Sequence, residues 1–251
     1  MARQNGILKI TGKLDDLSFY KGKDGYLVRT KGGITKNRIQ NDPAFVRTRE
    51  NGAEFGQSAY AGKLLRVAVR NMLQNAGDSR VTSRLTQVMS KVKNYDVTSA
   101  RGDRKVSIGL TNDAAKALLK EFNFNDRALL GTVLFAPYTL DTATGEIAMA
   151  SLNTDSDITA AAGATHVSLQ AGFLDLNFET GISDIQYSPK VNLPVENVAT
   201  SATLTPAAAP TGTGNKFYLL MLEFFQEING VQYSLKNGAY NVLAIVGIDA
   251  I

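Results

Sequence analysis

Few residues in this sequence have the types and spacing that catalysis requires. The 251-residue chain contains one histidine, His166, and no cysteine. A Ser-His-Asp triad would have to be built on that single imidazole, and no Gly-x-Ser-x-Gly turn accompanies it. His166 shares one face of a predicted strand with the polar residues Ser168 and Gln170, a pattern typical of an exposed side chain. We therefore predict that the protein is not an enzyme and takes no small-molecule substrate.

Two aspartates and one glycine-rich loop are the remaining candidates for binding an ion or a small ligand. Asp155 and Asp157 flank a serine in a polar loop, where their carboxylates could hold a calcium ion, although aspartate is also a favoured turn residue. The segment 212–216 lacks the spacing of a phosphate-binding loop, and it leads into a predicted strand instead of a helix. We predict no cofactor and no metal site. If a metal ion does bind, Asp155 and Asp157 are the candidate ligands.

Charge is divided unevenly along the chain. The residues through Lys105 contain 21 Lys and Arg against 9 Asp and Glu, a net charge of +12; those from Val106 onward contain 6 against 14, a net charge of −8. A basic first part can bind an anionic surface, and the acidic part of a neighbouring copy is one such surface. Nine cations are the candidate interface or phosphate contacts: Lys31, Lys36, Arg38, Lys63, Arg66, Arg70, Arg80, Arg84 and Lys91.

These cations allow three interpretations. They suit the phosphate backbone of a nucleic acid, they suit carboxylates on a neighbouring subunit, or they form a solvated helix face. Few aromatic residues lie among them, and the sequence has no helix-turn-helix, zinc-finger or RNP motif, so stacking on single strands has little support. Self-association is the first interpretation, and nucleic acid binding stays open.

The first part of the chain is predicted to form a small sheet followed by helices. Two alternating apolar runs on either side of a turn at Asp24-Gly25 predict a hairpin, and residues 7–30 as a whole are predicted to form an antiparallel meander that begins with a strand at 7–10. Residues 31–41 are expected to form an extended arm. Asp42 and Pro43 predict the start of a helix, and Asn112 predicts another. An apolar stripe predicts an amphipathic helix between them, formed by Val81, Leu85, Val88, Met89 and Val92.

From about Arg127 the pattern changes to strands separated by turns. A shift of the apolar phase at Gly172-Phe173 predicts a β-bulge or corner, and Asn229-Gly230 and Asn237-Gly238 predict hairpin turns. The fold class is therefore α+β, with an N-terminal β-meander and basic helices before a C-terminal antiparallel β-sandwich or barrel. The expected domains are 1–42, 43–121 and 122–251. The predicted strands are 128–136, 145–151, 165–178, 183–187, 217–226, 231–235 and 239–249.

The first 105 residues resemble a family of uncharacterised bacterial proteins. The resemblance lies in RQNGILK at 3–9, DLSFYK at 16–21, GYLVR at 25–29 and NDPAFVRTREN at 41–51. It implies no activity, cofactor or catalytic residue.

The division of charge and the lack of catalytic residues favour assembly with further copies of the chain. The first residues lack the apolar run of a signal peptide and no window approaches about 18 uninterrupted apolar residues, so we expect synthesis in the cytoplasm and no membrane span. The final location is left open between the cell, a particle and an extracellular assembly. We predict a structural protein that assembles head to tail as a filament, tube or phage-like particle subunit. The alternative is a nucleic-acid-associated protein that binds phosphates through its basic helices.

Overall fold

The computed structural model describes residues 2–30, 33–235 and 240–249. The chain divides into two compact units, Met1–Arg49 and Glu50–Ile251. The fold class is α+β, as predicted. Lys31 and the predicted turn at Asn237-Gly238 lie outside the described residues. Within those residues no helix is both long and apolar enough to cross a bilayer.

The first unit contains a four-stranded antiparallel sheet whose strand order is β1-β4-β3-β2. The predicted Asp24-Gly25 turn is confirmed, because Gly22 pairs with Gly25 across a hairpin and Gly25 has a φ of +103°, which favours glycine. The outer strands are short, so the sheet rests on its central hairpin. The strands are β1 (Ala2–Arg3), β2 (Gly12–Leu14), β3 (Leu17–Gly22) and β4 (Gly25–Thr30).

Two predictions in the first unit are wrong. Residues 7–10 form a bent loop between β1 and β2 instead of a strand. The expected extended arm contains a helix, α1 (Lys36–Asn41), because the Thr35 hydroxyl caps it by accepting from the Arg38 amide at 3.3 Å. The predicted helix start at Asp42 is confirmed: its carboxylate accepts from the Ala44 amide at 2.9 Å and caps a 3-10 turn over Pro43–Phe45.

Helices form one layer of the second unit. The predicted amphipathic helix is confirmed as α4, whose residues Leu85, Met89 and Val92 are fully buried. The predicted strand over 128–136 is wrong, because its apolar run contains a helical turn, α7. The helices are α2 (Val46–Ala68), which begins at the end of the first unit, α3 (Arg70–Ala76), α4 (Val81–Val92), α5 (Val106–Gly109), α6 (Asp113–Ala117) and α7 (Leu130–Val133).

Two antiparallel sheets complete the second unit. The larger is a six-stranded sheet curled into a half-barrel, and the smaller has the order β10-β6-β5. Antiparallel β structure is thus confirmed for the C-terminal part. The strands are β5 (Thr139–Leu140), β6 (Ile147–Asn153), β7 (His166–Leu176), β8 (Ser183–Tyr187), β9 (Val191–Pro194), β10 (Ala199–Leu204), β11 (Asn215–Ile228), β12 (Val231–Ser234) and β13 (Val242–Ile248).

The central strands β7 and β11 are buried on both faces. On β11, Leu219 packs in the core beneath the helices, whereas Leu220 packs in the core beneath the smaller sheet. The same division on β7 places Leu174 in the first core and Phe173 in the second. No bulge interrupts the pairing of β7 with β11, but the partner on the outer side of β7 changes from β9 to β8 between Leu169 and Gly172, next to the predicted bulge or corner at Gly172-Phe173. The apolar residues of β7 change phase because this strand is buried on both of its faces.

Each central strand is flanked on its outer side by two short strands in succession. β13 and then β12 pair along β11, and β8 and β9 divide the outer side of β7. The free side of β13 is covered by residues 121–124: the Glu121 amide donates to the Ile245 carbonyl at 2.7 Å, and the Phe124 amide donates to the Leu243 carbonyl at 2.8 Å. The large sheet therefore has no long open edge among the described residues.

Candidate interaction surface

The first unit has no buried side chain among its described residues, 2–30 and 33–49. Large apolar side chains are nevertheless present in it. Ile7 is 102% exposed and Leu8 is 85% exposed, and Ile10, Leu14 and Leu17 are exposed as well. Scattered single apolar residues are normal on a surface, whereas several exposed ones within one short segment make that segment a candidate for interaction.

The most exposed of these residues lie in residues 6–10, which we call the apolar tip. Gln4 holds its base: its side-chain amide donates to the carbonyls of Ile10 at 3.1 Å and Leu27 at 3.2 Å, and its side-chain oxygen accepts from the Ile10 amide at 2.9 Å. The Lys9 ammonium donates to the Gln4 carbonyl at 2.5 Å. These bonds satisfy the backbone at the base and leave Ile7 and Leu8 projecting.

Residues 7–10 of the tip were predicted to form a strand, and no site was predicted there. One signal could have shown the difference. Ile7 and Leu8 are adjacent and Ile10 follows two residues later, a spacing that puts apolar side chains on both faces of any strand. A strand buried on both faces belongs in a large core, which a unit of this size does not have.

The first unit is also strongly basic. Through Arg49 the sequence contains 11 Lys and Arg against 4 Asp and Glu, a net charge of +7. The Arg38 guanidinium pairs with Asp42 at 3.1 Å and lies over the Phe45 ring. Lys36, the first residue of α1, is exposed and carries no ion pair with any residue that the structure describes. The apolar tip therefore belongs to a unit with a net positive charge.

A second exposed apolar stretch runs along α2. Phe55 is 61% exposed, Val67 is 59% exposed and Tyr60 is exposed between them. Gly52 and Gly56 lie one turn apart on the same helix, and a Cβ atom at either would meet nothing within 4 Å. Each glycine costs a helix interior about 1 kcal/mol relative to alanine, and no contact within the second unit explains either one.

The cations predicted on the helices fall into two groups. Arg84 forms an ion pair with Asp78, which is partly buried, and donates to the Asn123 carbonyl at 2.8 Å. Arg66 is half-buried, and its Nε has no hydrogen-bond partner among the described residues. The others are exposed and unpaired within the described part of the chain: Lys63, Arg70, Arg80 and Lys91.

Several cations near Lys105 serve the interior of the second unit. The carboxylate of Glu54, only 5% exposed, accepts from the Gly102 amide at 2.9 Å and pairs with Lys93. That bond to Lys93 lowers the pKa of Glu54, against the opposing effect of burial. Arg104 lies 3.9 Å from the same carboxylate. The Arg-Gly-Asp sequence at 101–103 therefore lies in a loop that is anchored by the buried Glu54 carboxylate.

Asp96 fixes the other end of this loop. Its fully buried carboxylate accepts from the amides of Ser99 and Lys105, both at 2.9 Å, and from the Thr98 hydroxyl at 3.0 Å. Burial alone would raise the pKa of Asp96, but these donors outweigh it and hold the pKa well below its usual range. Lys105 in turn pairs with Glu179 at 2.7 Å, which joins the basic and acidic parts of the sequence.

The metal candidates Asp155 and Asp157 lie in a turn. The Asp157 carboxylate accepts from the Asn153 amide at 2.8 Å, and the Asp155 amide donates to the Asn153 side chain at 3.1 Å. Across the part of the chain that the structure describes, no three His, Cys, Asp or Glu side chains cluster in a way that could hold a metal ion. The His166 ring lies 3.0 Å from the Thr165 hydroxyl and 3.7 Å from Glu227.

The glycine-rich segment at 212–216 covers a carboxylate of its own chain. The Gly214 amide donates to the buried Asp175 at 3.0 Å, and a Cβ atom at Gly212 would lie 2.3 Å from the same carboxylate. A phosphate-binding loop needs such amides free to meet the ligand. The Gly214 amide is instead bonded to Asp175.

An apolar cavity of about 360 Å³ opens on the acidic part of the second unit. Leu129, Leu134 and Ile245 line it, together with Tyr138 and with the carboxylate-bearing Glu121. Burial, and to a smaller degree the charge of Glu121, raise the pKa of Tyr138, so the carboxylate lies close enough to influence the phenol. The cavity combines an apolar lining with one negative charge.

Comparison of the chain with protein-family models, with curated proteins and with solved structures finds no match.

Proposed function

We propose that this protein is a non-enzymatic structural subunit that assembles with further copies of itself into a filament, tube or phage-like particle. The observation that carries the proposal is the first unit, which has exposed apolar side chains and no buried residue among those described. A sheet of this kind is marginal in water unless its apolar side chains are covered.

Burial of the apolar tip supplies a driving force for association. Transfer of an exposed aliphatic side chain out of water contributes about 1.5–3 kcal/mol. Covering Ile7, Leu8 and Ile10 therefore contributes roughly 5 kcal/mol before the entropy of association is subtracted. One such contact is weak alone, and repetition within a polymer strengthens the whole.

The charges of the chain favour contacts between unlike parts. The residues through Arg49 carry +7 and the residues from Val106 onward carry −8. Attraction between a basic surface on one copy and an acidic surface on the next is heterologous, and repetition of a heterologous contact gives an open polymer or a closed ring.

The test is negative-stain electron microscopy with light scattering on purified protein freed of nucleic acid, at low and at high salt. We expect large particles at low salt. The double variant Ile7→Asp/Leu8→Asp should keep the fold of the second unit by circular dichroism and run as a monomer. Val97→Asp is the matched control, because Val97 is 87% exposed but lies in the second unit, and it should assemble like the wild type.

Monodisperse wild-type monomer at high concentration and low salt would contradict the proposal. The absorbance ratio at 260 and 280 nm tests the alternative of a nucleic-acid-associated protein, which the unpaired cations Lys63, Arg70 and Lys91 favour. Particles that form only with bound nucleic acid, and that dissolve on nuclease treatment, would support that alternative.

A further inference from the structure

We infer that the apolar tip of one copy inserts into the apolar cavity beside Glu121 on the next copy, so that this pair of surfaces forms the head-to-tail contact. The inference rests on the proposed function, because it names the two surfaces that would meet. It commits to a second copy of this chain as the occupant of the cavity.

The cavity suits aliphatic side chains. Its volume is about 360 Å³ and its lining includes Leu129, Leu134 and Ile245. A cavity of about 150 Å³ already accommodates a benzene-sized molecule. The space is therefore sufficient for the side chains of Ile7 and Leu8 together, the two most exposed apolar residues of the tip.

The backbone around the cavity is held in place before any ligand arrives. Glu121 has a φ of +68°, and its amide donates to the Ile245 carbonyl at 2.7 Å. The Asn123 side chain accepts from the Leu130 amide at 2.8 Å and so fixes the start of α7. A preformed pocket loses little conformational entropy on binding.

Charge also fits this pairing. Glu121 contributes a carboxylate to the cavity, and the tip includes Lys9 on a unit whose net charge is +7. Opposite charges around an apolar contact steer association and fix its orientation. The same net charge would oppose the docking of one tip against another.

Site-specific cross-linking tests the contact directly, and the absence of cysteine from the chain makes every introduced thiol unique. Leu8→Cys and Leu129→Cys are made separately, given different tags, mixed under assembly conditions and treated with a short bis-maleimide. We expect cross-links between the two tags at a yield about tenfold above the control pair Val97→Cys with Leu129→Cys. Equal yields for the two pairs would overturn the inference.

A second variant closes the cavity without disturbing the fold. Gly131 lines the cavity, and a Cβ atom there would meet nothing within 4 Å. Gly131→Phe should fill the space, abolish the Leu8–Leu129 cross-link and prevent assembly. Gly131→Ala adds a methyl group only and should preserve both.

The outcomes separate this inference from the proposed function. If Ile7→Asp/Leu8→Asp disperses the particles but Gly131→Phe assembles normally, the tip binds elsewhere: assembly stands and this inference falls. If the double variant Leu8→Cys/Leu129→Cys cross-links within a single chain at high dilution, the occupant is the chain's own tip, which also overturns it. Wild-type monomer whose tip binds anionic lipid vesicles would overturn both proposals.

Discussion

The two units of this molecule differ in what stabilises them. The second unit buries two apolar cores on the two faces of one sheet, with Leu219 in one core and Leu220 in the other. The first unit forms a hydrogen-bonded sheet whose described residues are all at least partly exposed. Hydrogen bonds alone contribute little net stability, since the unfolded chain forms them with water.

An apolar residue therefore has a different role in each unit. In the second unit an apolar residue serves the fold, so its loss should change stability. In the first unit the same residue type is displayed to solvent, so its loss should change association and leave the fold almost unchanged. Paired substitutions in the two units test this difference, and the acid dependence of the second unit tests it alone.

The largest difference is expected for truncated leucines. Leu220→Ala should lower the free energy of unfolding by about 2–5 kcal/mol. The Leu220 side chain is fully buried, so its truncation leaves a cavity in the core. Leu8→Ala should change it by about 0.5 kcal/mol or less while weakening assembly. Urea denaturation at concentrations below assembly measures both. Equal losses would show that the tip is part of a core.

Loss of the polar side chain that holds a loop should give the next largest difference. Asp96→Ala should cost about 3 kcal/mol, because it removes a buried carboxylate and leaves the partly buried amides of Ser99 and Lys105 without their acceptor. Gln4→Ala, at the base of the tip, should cost less than about 1 kcal/mol, because water can replace its partners. Asp103→Ala is the control for the first variant. Asp103 is exposed in the same loop, and its loss should leave the unfolding midpoint unchanged.

Ion pairs should show a smaller difference between the units. Arg84→Ala should lower the free energy of unfolding by about 2 kcal/mol, since the Asp78 side chain is only 6% exposed and loses its cation. Arg38→Ala should give no measurable change, because its pair with Asp42 is on the surface. Thermal melts followed by circular dichroism compare the two variants. A stable Arg84→Ala protein that fails to assemble would place Arg84 in the interface instead.

The smallest expected effect is a dependence of stability on acid. The pKa of Asp96 is lowered by folding, so the unfolded chain binds protons more readily and stability is lost as the pH falls below about 4. The loss attributable to Asp96 is on the order of 1 kcal/mol between pH 5 and 3. Asp96→Asn should show a shallower decline over that range in urea denaturation. An identical slope would mean that Asp96 does not keep its charge there.

The fold was predictable where a pattern had one explanation. The stripe of Leu85, Met89 and Val92 could only be an amphipathic helix, and Asp42 followed by Pro43 marked a helix start. The prediction failed where two different structures fit the same sequence pattern. The apolar run that holds α7 fits a buried strand equally well, and the change of phase on β7 resembles a bulge when a second buried face is not known.

The net charge of the candidate surface was predictable from the sequence, but the partners of the individual cations were not. The sequence shows that the first part is basic, but not that Arg84 and Lys93 pair with carboxylates inside the second unit. Lys93 and its partner Glu54 lie 39 residues apart, so their pairing depends on the tertiary fold. The tip was missed because the exposure of Ile7 and Leu8 is a property of the folded surface.

The paired short strands along β7 and β11 have a consequence for colloidal behaviour. An exposed, straight strand invites addition of another chain by backbone hydrogen bonds, which is the route to amyloid. Here β8 and β9 interrupt one side, and β13 is covered by residues 121–124. These features reduce the strand edge that the second unit offers to another chain, so we expect the order of any polymer to depend on contacts made by side chains.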